Sequence, residues 1–199
     1  RVRLKAQFEM VRRDLEAELI QVSQSNSVSL LSRVHSIWGL GQLARIASDK
    51  KALQQLIKLL FDSNPEILSQ ACKTLADIHK IDINGDHFVH LINHSSKRVA
   101  FFAALALAKH PATNEAKTLS KLIKLITDSK PHEVYIRHAV SSALNGTISS
   151  KRLAQLNNHP EPRVKLAAIV ALRKQKSPEV IEFLKDKNEL IITEAARAI

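Results

Sequence analysis

Apolar residues recur along this chain with the period of a helix. Counting from Val99 as position zero, +3, +4, +7 and +8 hold Phe102, Ala103, Ala106 and Leu107, which fall on one helical face. The same template fits seven times, with zero positions at Val2, Ser32, Ile67, Val99, Ile136, Val164 and Ile191, spaced 30, 35, 32, 37, 28 and 27 residues apart. Position +8 is aliphatic in every copy (Met10, Leu40, Leu75, Leu107, Leu144, Leu172 and Ile199). Position +4 is alanine in five of the seven, and a small residue holds +7 in six, from Gly39 to Ala198. Small side chains at +4 and +7 let a neighbouring helix come close, while the aliphatics at 0 and +8 fill the space beside that contact.

A second, shorter helical pattern precedes each later copy: Leu15 to Val22, Ala52 to Phe61, His87 to Asn93, Thr118 to Ile126, Lys151 to Leu156 and Glu179 to Lys185. Each unit therefore reads as a helical hairpin, with a short helix A followed by a template helix B. Internal duplication is visible directly, because Leu56-Ile57-Lys58-Leu59-Leu60-Phe61-Asp62-Ser63-Asn64-Pro65 matches the stretch from Leu122 to Pro131 at seven of ten positions. Asn64-Pro65-Glu66 and Ser177-Pro178-Glu179 carry a capping side chain, then proline at the first helical position, then an acid, and predict helix starts. Asn84-Gly85 and Asn145-Gly146 follow helical runs and predict stops. Hairpins at this period cannot bury their apolar faces alone. Stacking them predicts an all-α fold, an α-solenoid wound as a right-handed superhelix of six to seven hairpins, occupying residues 1–199 as a single repeat domain.

The motif resembles HEAT repeats of the short, HEAT-like kind. The B helix opens with a basic residue at +1, as in Ser32-Arg33, Ile136-Arg137 and Val164-Lys165, and closes on Ala-x-x-Ala-Leu. Armadillo and tetratricopeptide repeats fit less well, the latter for want of their Trp and Pro landmarks. Arg33-Val34-His35-Ser36-Ile37-Trp38-Gly39-Leu40-Gly41-Gln42-Leu43-Ala44-Arg45, followed by Arg98 to Leu107 and Ile136-Arg137-His138-Ala139, is similar to the HEAT-repeat segment of large bacterial proteins that join a dehydrogenase-like β-propeller to a C-terminal cytochrome c domain. That resemblance implies a periplasmic or cell-envelope location and redox chemistry in flanking domains. No haem residues carry over, since Cys72 is followed by Lys73-Thr74-Leu75-Ala76 rather than by a Cys-x-x-Cys-His motif. Because the first residue is Arg, the chain also reads as a fragment of a longer protein.

Composition narrows the function classes. One cysteine, Cys72, cannot form an internal disulfide or a thiolate metal cluster, and no disulfide partner is expected. The longest apolar run, Val99 to Ala108, has ten residues and is too short to span a bilayer, so no membrane insertion is expected. A net charge of +11 raises the question of nucleic acid. By fifty-residue quarter the excess is +3, +1, +3 and +4, and only Arg173-Lys174-Gln175-Lys176 resembles a cluster. No Gly-rich phosphate loop, paired-carboxylate motif or metalloprotease signature occurs, so neither an enzyme nor a cofactor is predicted.

What remains is a surface. Residues at +2, +5, +6 and +9 lie opposite the hairpin contact and face the next repeat or a concave groove. They include Val34, Ile37 and Trp38, then Phe101, Ala104 and Leu105, then Leu166, Ile169 and Val170, with His138 at +2 of its own unit. Their burial between repeats and their use as a docking groove are both open at this level. The expected function is a non-catalytic scaffold that docks a protein partner, or an adjacent domain of the same chain, through Val34, Ile37, Trp38, Phe101, Leu105, His138, Leu166 and Ile169. The alternatives are nucleic-acid binding through a basic groove and an accessory role in a redox protein. His87, His90 and His94 share a helical face beside Asp86, and the pair His90 and His94 is a weak metal-site candidate set against a solvated face. The +1 residues Arg3, Arg33, Arg137 and Lys165 are expected to form a ladder with acids such as Asp62 and Asp128 of neighbouring hairpins.

Overall fold

A computed structural model of the chain describes residues 2–46, 49–79 and 81–199. Two compact units emerge, Arg1–Ile83 and Asn84–Ile199. In the first, α1 (Val2–Arg12), α3 (Leu30–Ile46) and α5 (Pro65–Ala76) are the B helices. Between them lie the A helices α2 (Glu16–Gln24) and α4 (Lys50–Lys58), the latter ending in a 3-10 turn, Leu59–Phe61. Helix α3 packs against α1, α2, α4 and α5. In the second unit the A elements are α6 (Asp86–Val89), α8 (Glu115–Thr127), α10 (Ser150–Ala154) with its 3-10 extension Gln155–Asn158, and the 3-10 segment Pro178–Lys185. The B helices are α7 (Lys97–Leu107), α9 (Val134–Thr147), α11 (Pro162–Gln175) and α12 (Glu189–Ala196), with α9 packed between α7 and α11.

The template predicts the core of both units. Ile67, Val99, Ile136, Val164 and Ile191 at position zero are buried, as are Leu40, Leu75, Leu107, Leu144 and Leu172 at +8. Alanines at +4 and +7, among them Ala71, Ala103, Ala106, Ala143 and Ala168, are fully enclosed. Gly39 serves the same end: a Cβ there would meet the Leu19 methyls of α2 at 2.9 Å. The outermost template positions depart from the rule, since Val2 and Ile199 are exposed. Cys72 is buried in α5, and burial raises its thiol pKa far above the ordinary range. Among the described residues no helix is long and apolar enough to cross a membrane.

Punctuation follows the sequence in part. The Asn64 side chain accepts the Glu66 N–H at 2.9 Å and caps α5 behind Pro65. Ser177, by contrast, turns its hydroxyl to Glu179 instead of to a backbone N–H. The Pro178–Lys185 segment is 3-10 rather than α, which places the buried Val180 and Phe183 on one face at a period of three. Asn84-Gly85 is a start, not a stop: the Asn84 side chain accepts the Asp86 N–H at 2.9 Å and Gly85 precedes α6. Gly146 lies inside α9, and none of the four glycines has a positive φ. Both glycines are required by close approach, Gly85 over the backbone of His110 to Ala112 and Gly146 over that of Ala108. The left-handed helix ends are at Asp14 (φ 55°) and Lys176 (φ 53°). There the N–H groups of Leu15 and Ser177 reach back to the carbonyls of Met10 and Leu172, closing Schellman turns.

The connections from A to B use one device repeatedly. Asp62, directly after its A element, accepts the backbone N–H of Asn64 at 2.8 Å, and Asp186 does the same for Asn188 at 2.8 Å. Histidine fills the equivalent place in two other turns. His94 Nδ1 accepts the Ser96 N–H at 3.0 Å, and His159 Nδ1 accepts that of Glu161 at 3.1 Å. An imidazole whose Nδ1 accepts carries its hydrogen on Nε2, so these two rings act as aspartate substitutes.

Candidate functional site

The eight residues expected to line a docking face divide by burial. Val34, Ile37 and Ile169 are 5%, 0% and 2% exposed and belong to the cores of their units, which removes them from any accessible surface. Trp38, Phe101, Leu105 and Leu166 are half-buried, and His138 is exposed. The accessible candidates therefore fall in both units, Trp38 in the first and Phe101, Leu105, His138 and Leu166 in the second.

In the first unit the indole of Trp38 is fixed by polar contacts. Its Nε1 donates to Gln70 Oε1 at 2.8 Å, and Gln70 Nε2 donates to Glu66 Oε1 at 2.7 Å. The His35 ring meets Trp38 edge-on with centroids 5.0 Å apart, while His35 Nδ1 pairs with Gln7 Oε1 at 2.8 Å. Burial, followed by the positive charge of Arg3, lowers the His35 pKa below the ordinary imidazole value and so favours the uncharged ring. Beside Trp38 opens a cavity of about 340 Å³ whose walls include Phe8, Gln42, Arg45 and Lys73. Phe8 is 51% exposed and stands at +6 of the first template copy, the position Trp38 holds in the second, although it was not among the named candidates. A rigid aromatic floor with amide and charged rims suits an extended chain with one apolar side chain and exposed backbone polar groups.

In the second unit Phe101 stands edge-on to both Phe102 and Tyr135, at 5.0 and 5.7 Å between centroids. The Arg98 guanidinium lies over Phe102, 5.3 Å from its centre. These four residues line a cavity of about 330 Å³. The Tyr135 hydroxyl donates to Glu133 Oε1 at 3.2 Å, and Tyr135 and Val134 remain 45% and 52% exposed. Tyr135 escaped sequence reasoning because it sits one residue before the template's zero. At 100° per residue that position is only about 60° from +2, so extending the template backwards would have found it.

The basic ladder forms where the repeat supplies an acid at the right turn. The buried Arg33 guanidinium pairs with Asp62, and its Nε donates to the Ser23 carbonyl at 2.9 Å. Lys165 Nζ pairs with Asp186 at 2.5 Å, from the same position on its B helix to the same position on the following turn. Arg137 is exposed, and the residue at its corresponding turn is His159 rather than an acid. Asp128 pairs with Lys124 of its own helix at 2.7 Å, because the +1 residue of α7 is Ala100. Arg163 was not singled out from sequence. It donates to the Ser129 carbonyl at 2.6 Å and to Glu161 at 2.9 Å.

The histidine face is not a helical face. Helix α6 ends at Val89, so His90 and His94 lie beyond it and the helical spacing between them does not apply. His90 is exposed, and His94 is held by the Ser96 N–H. Among the described residues no group of three or more His, Cys, Asp or Glu side chains could hold a metal ion.

Neither a family model nor a curated protein matches the chain. Solved structures do. A designed armadillo repeat protein in complex with the peptide (KR)4 is 19% identical, with 91% of this chain and 96% of that chain covered at a TM-score of 0.56. A second designed armadillo repeat protein is 20% identical at a TM-score of 0.54, over 91% of this chain and 97% of that one. An engineered protein from the Northeast Structural Genomics Consortium is 20% identical at 0.58, covering 93% and 96%. At these identities the likeness establishes the fold alone: an all-α solenoid of stacked armadillo- or HEAT-like helical hairpins.

Proposed function

We propose that the chain is a non-catalytic scaffold that takes a segment of a protein partner on the exposed part of its B helices. The observation that carries this reading is the pair of anchored aromatic sites. Trp38, and separately Phe101 with Tyr135, hold large rings half-exposed in fixed orientations that the cores of their units do not require. Pre-oriented aromatics with polar rims are the usual hot spots of interaction surfaces. The designed armadillo neighbour that carries a bound peptide supports the same reading for this fold. Panning a random-peptide display library on the full chain tests it. The native chain is expected to enrich binders, while Trp38→Ala and Phe101→Asp lose them at least tenfold with unchanged helical circular dichroism. Native-like enrichment by both variants overturns the reading.

Nucleic-acid binding is the alternative. Two of the best-placed cations are already committed, Arg163 to carbonyls and Lys165 to Asp186, which disfavours a phosphate-tracking groove. A duplex-binding assay at low salt separates the two readings. The resemblance to propeller–cytochrome proteins rests on residues 33–45, 98–107 and 136–139. A propeller upstream and a Cys-x-x-Cys-His motif downstream in the parent reading frame are its test.

A further inference from the structure

The fold separates charges that the sequence interleaves. In the second unit, helices α7, α9 and α11 together carry seven Lys and Arg residues and no Asp or Glu. All ten acidic residues of residues 84–199 lie elsewhere, on A elements, in turns, at the N-caps of α9 and α11 and on α12. A helix surface gains a few tenths of a kcal/mol from each i,i+4 ion pair, and α8 uses one between Lys124 and Asp128. Helices α7, α9 and α11 forgo that gain entirely.

The basic residues are also placed on a side. Relative to the zero positions Val99, Ile136 and Val164, the angles between about 140° and 280° face away from the hairpin contact. That sector carries the cations Lys97, Arg98, Arg163, Arg173 and Lys174, and between them the apolar residues Phe101, Leu105, Tyr135, Leu166 and Val170. Of the cations, Arg163 is held by Glu161 and the Ser129 carbonyl, and Lys174 donates to the Ser142 hydroxyl at 3.2 Å. The two acids at the N-caps of α9 and α11 are occupied. Glu133 accepts the Lys130 N–H at 2.7 Å and the Tyr135 hydroxyl, and Glu161 is held by Arg163. The carboxyl pKa of each is lowered accordingly, Glu133 first by the Lys130 N–H and Glu161 first by Arg163.

We propose that the α7–α9–α11 face binds an acidic polypeptide segment, with an aromatic or aliphatic side chain of that segment seated at Phe101 and Tyr135 and its carboxylates against Arg98, Arg173 and Lys174. The proposal rests on the scaffold reading above and specifies the chemistry of the partner. It also sets this chain apart from the designed armadillo protein bound to (KR)4, since a basic peptide would meet like charge here. A polypeptide suits the face better than a polynucleotide, because the cations are interrupted by aliphatic residues that a sugar-phosphate backbone cannot use.

The test uses the full chain and three fluorescent probes: a peptide with Phe and Leu flanked by Glu and Asp, the same peptide with Gln and Ser flanks, and a fifteen-residue oligothymidylate. Anisotropy is expected to show the acidic peptide binding at least tenfold tighter than the neutral one. Added NaCl should weaken it, and Arg173→Glu with Lys174→Glu should erase the preference. Both substituted residues are exposed, so the variant is expected to keep the native circular dichroism. Equal affinity for the two peptides overturns the acidic specificity and leaves the scaffold reading standing, while no binding of either peptide overturns both. Tighter binding of the oligonucleotide, lost in the same variant, assigns the face to nucleic acid instead.

Discussion

Single residues carry costs that the repeat pattern hides. Lys176 closes α11 in the left-handed region at φ 53°, where a side chain costs about 1 kcal/mol or more relative to glycine. Lys176→Gly should therefore stabilise the protein by about 1 kcal/mol, read as a rise in urea midpoint at constant slope. Glu16 shows a different cost. Its carboxyl sits beside Asp49, its Oε1 is buried with no hydrogen-bond partner among the described residues, and Lys51 Nζ is 3.9 Å from Oε2. Burial, then Asp49, raises its pKa above the ordinary 4.5. A raised carboxyl pKa means the native state binds its proton more tightly than the unfolded chain does, so stability is greatest at low pH and falls as pH rises through the folded value. Glu16→Gln should raise Tm at pH 7, and the gain should vanish below about pH 4. Neither residue was legible in advance. Lys at a helix end reads as a dipole partner, and Glu16 meets Asp49 only because α2 and α4 are brought together.

At the scale of the element, the spacing of apolar residues was enough to place B helices, since positions 0, +4 and +8 are buried in each interior repeat except at the half-buried Ser32. Punctuation was less readable, because it depends on what lies across the element. Gly146 looked like a stop, yet its lack of a Cβ lets α9 settle on the Ala108 backbone, with the Thr147 hydroxyl donating to the Leu107 carbonyl at 3.0 Å. A Cβ would come within 2.8 Å of the Ala108 carbonyl carbon, and backbone cannot swing aside. Gly146→Ala should cost about 2 kcal/mol or more, whereas a true left-handed stop would be read from φ. Chemical denaturation of the variant checks the figure. His94 suggested metal or solvent by residue type and His159 was not singled out, and only the shared position with Asp62 and Asp186 reveals the turn that both hold.

For the chain as a whole, repetition makes equivalent positions comparable. Leu56 and Leu122 occupy the same place in the duplicated segment, and both are fully buried. Leu56→Ala and Leu122→Ala should each cost about 2–5 kcal/mol, and a difference between them beyond that range would mean the two copies have diverged in packing. Calorimetry of the pair decides it. The docking surface was legible only as a set of apolar candidates. Ile37 and Phe101 look alike in sequence, and their separation into core and face depends on neighbouring helices that a single template does not contain. The charge segregation was invisible for a geometric reason: a window of fifty residues averages A and B helices together, so acids on one cancel bases on the other. Cys72, finally, is the chain's one thiol and is sealed within α5. A buried, protonated thiol does not react with an aromatic disulfide reagent until the structure around it opens. The rate at which that reagent colours a solution of native protein is thus an unmodified molecular clock for opening within residues 1–83, available without introducing any label.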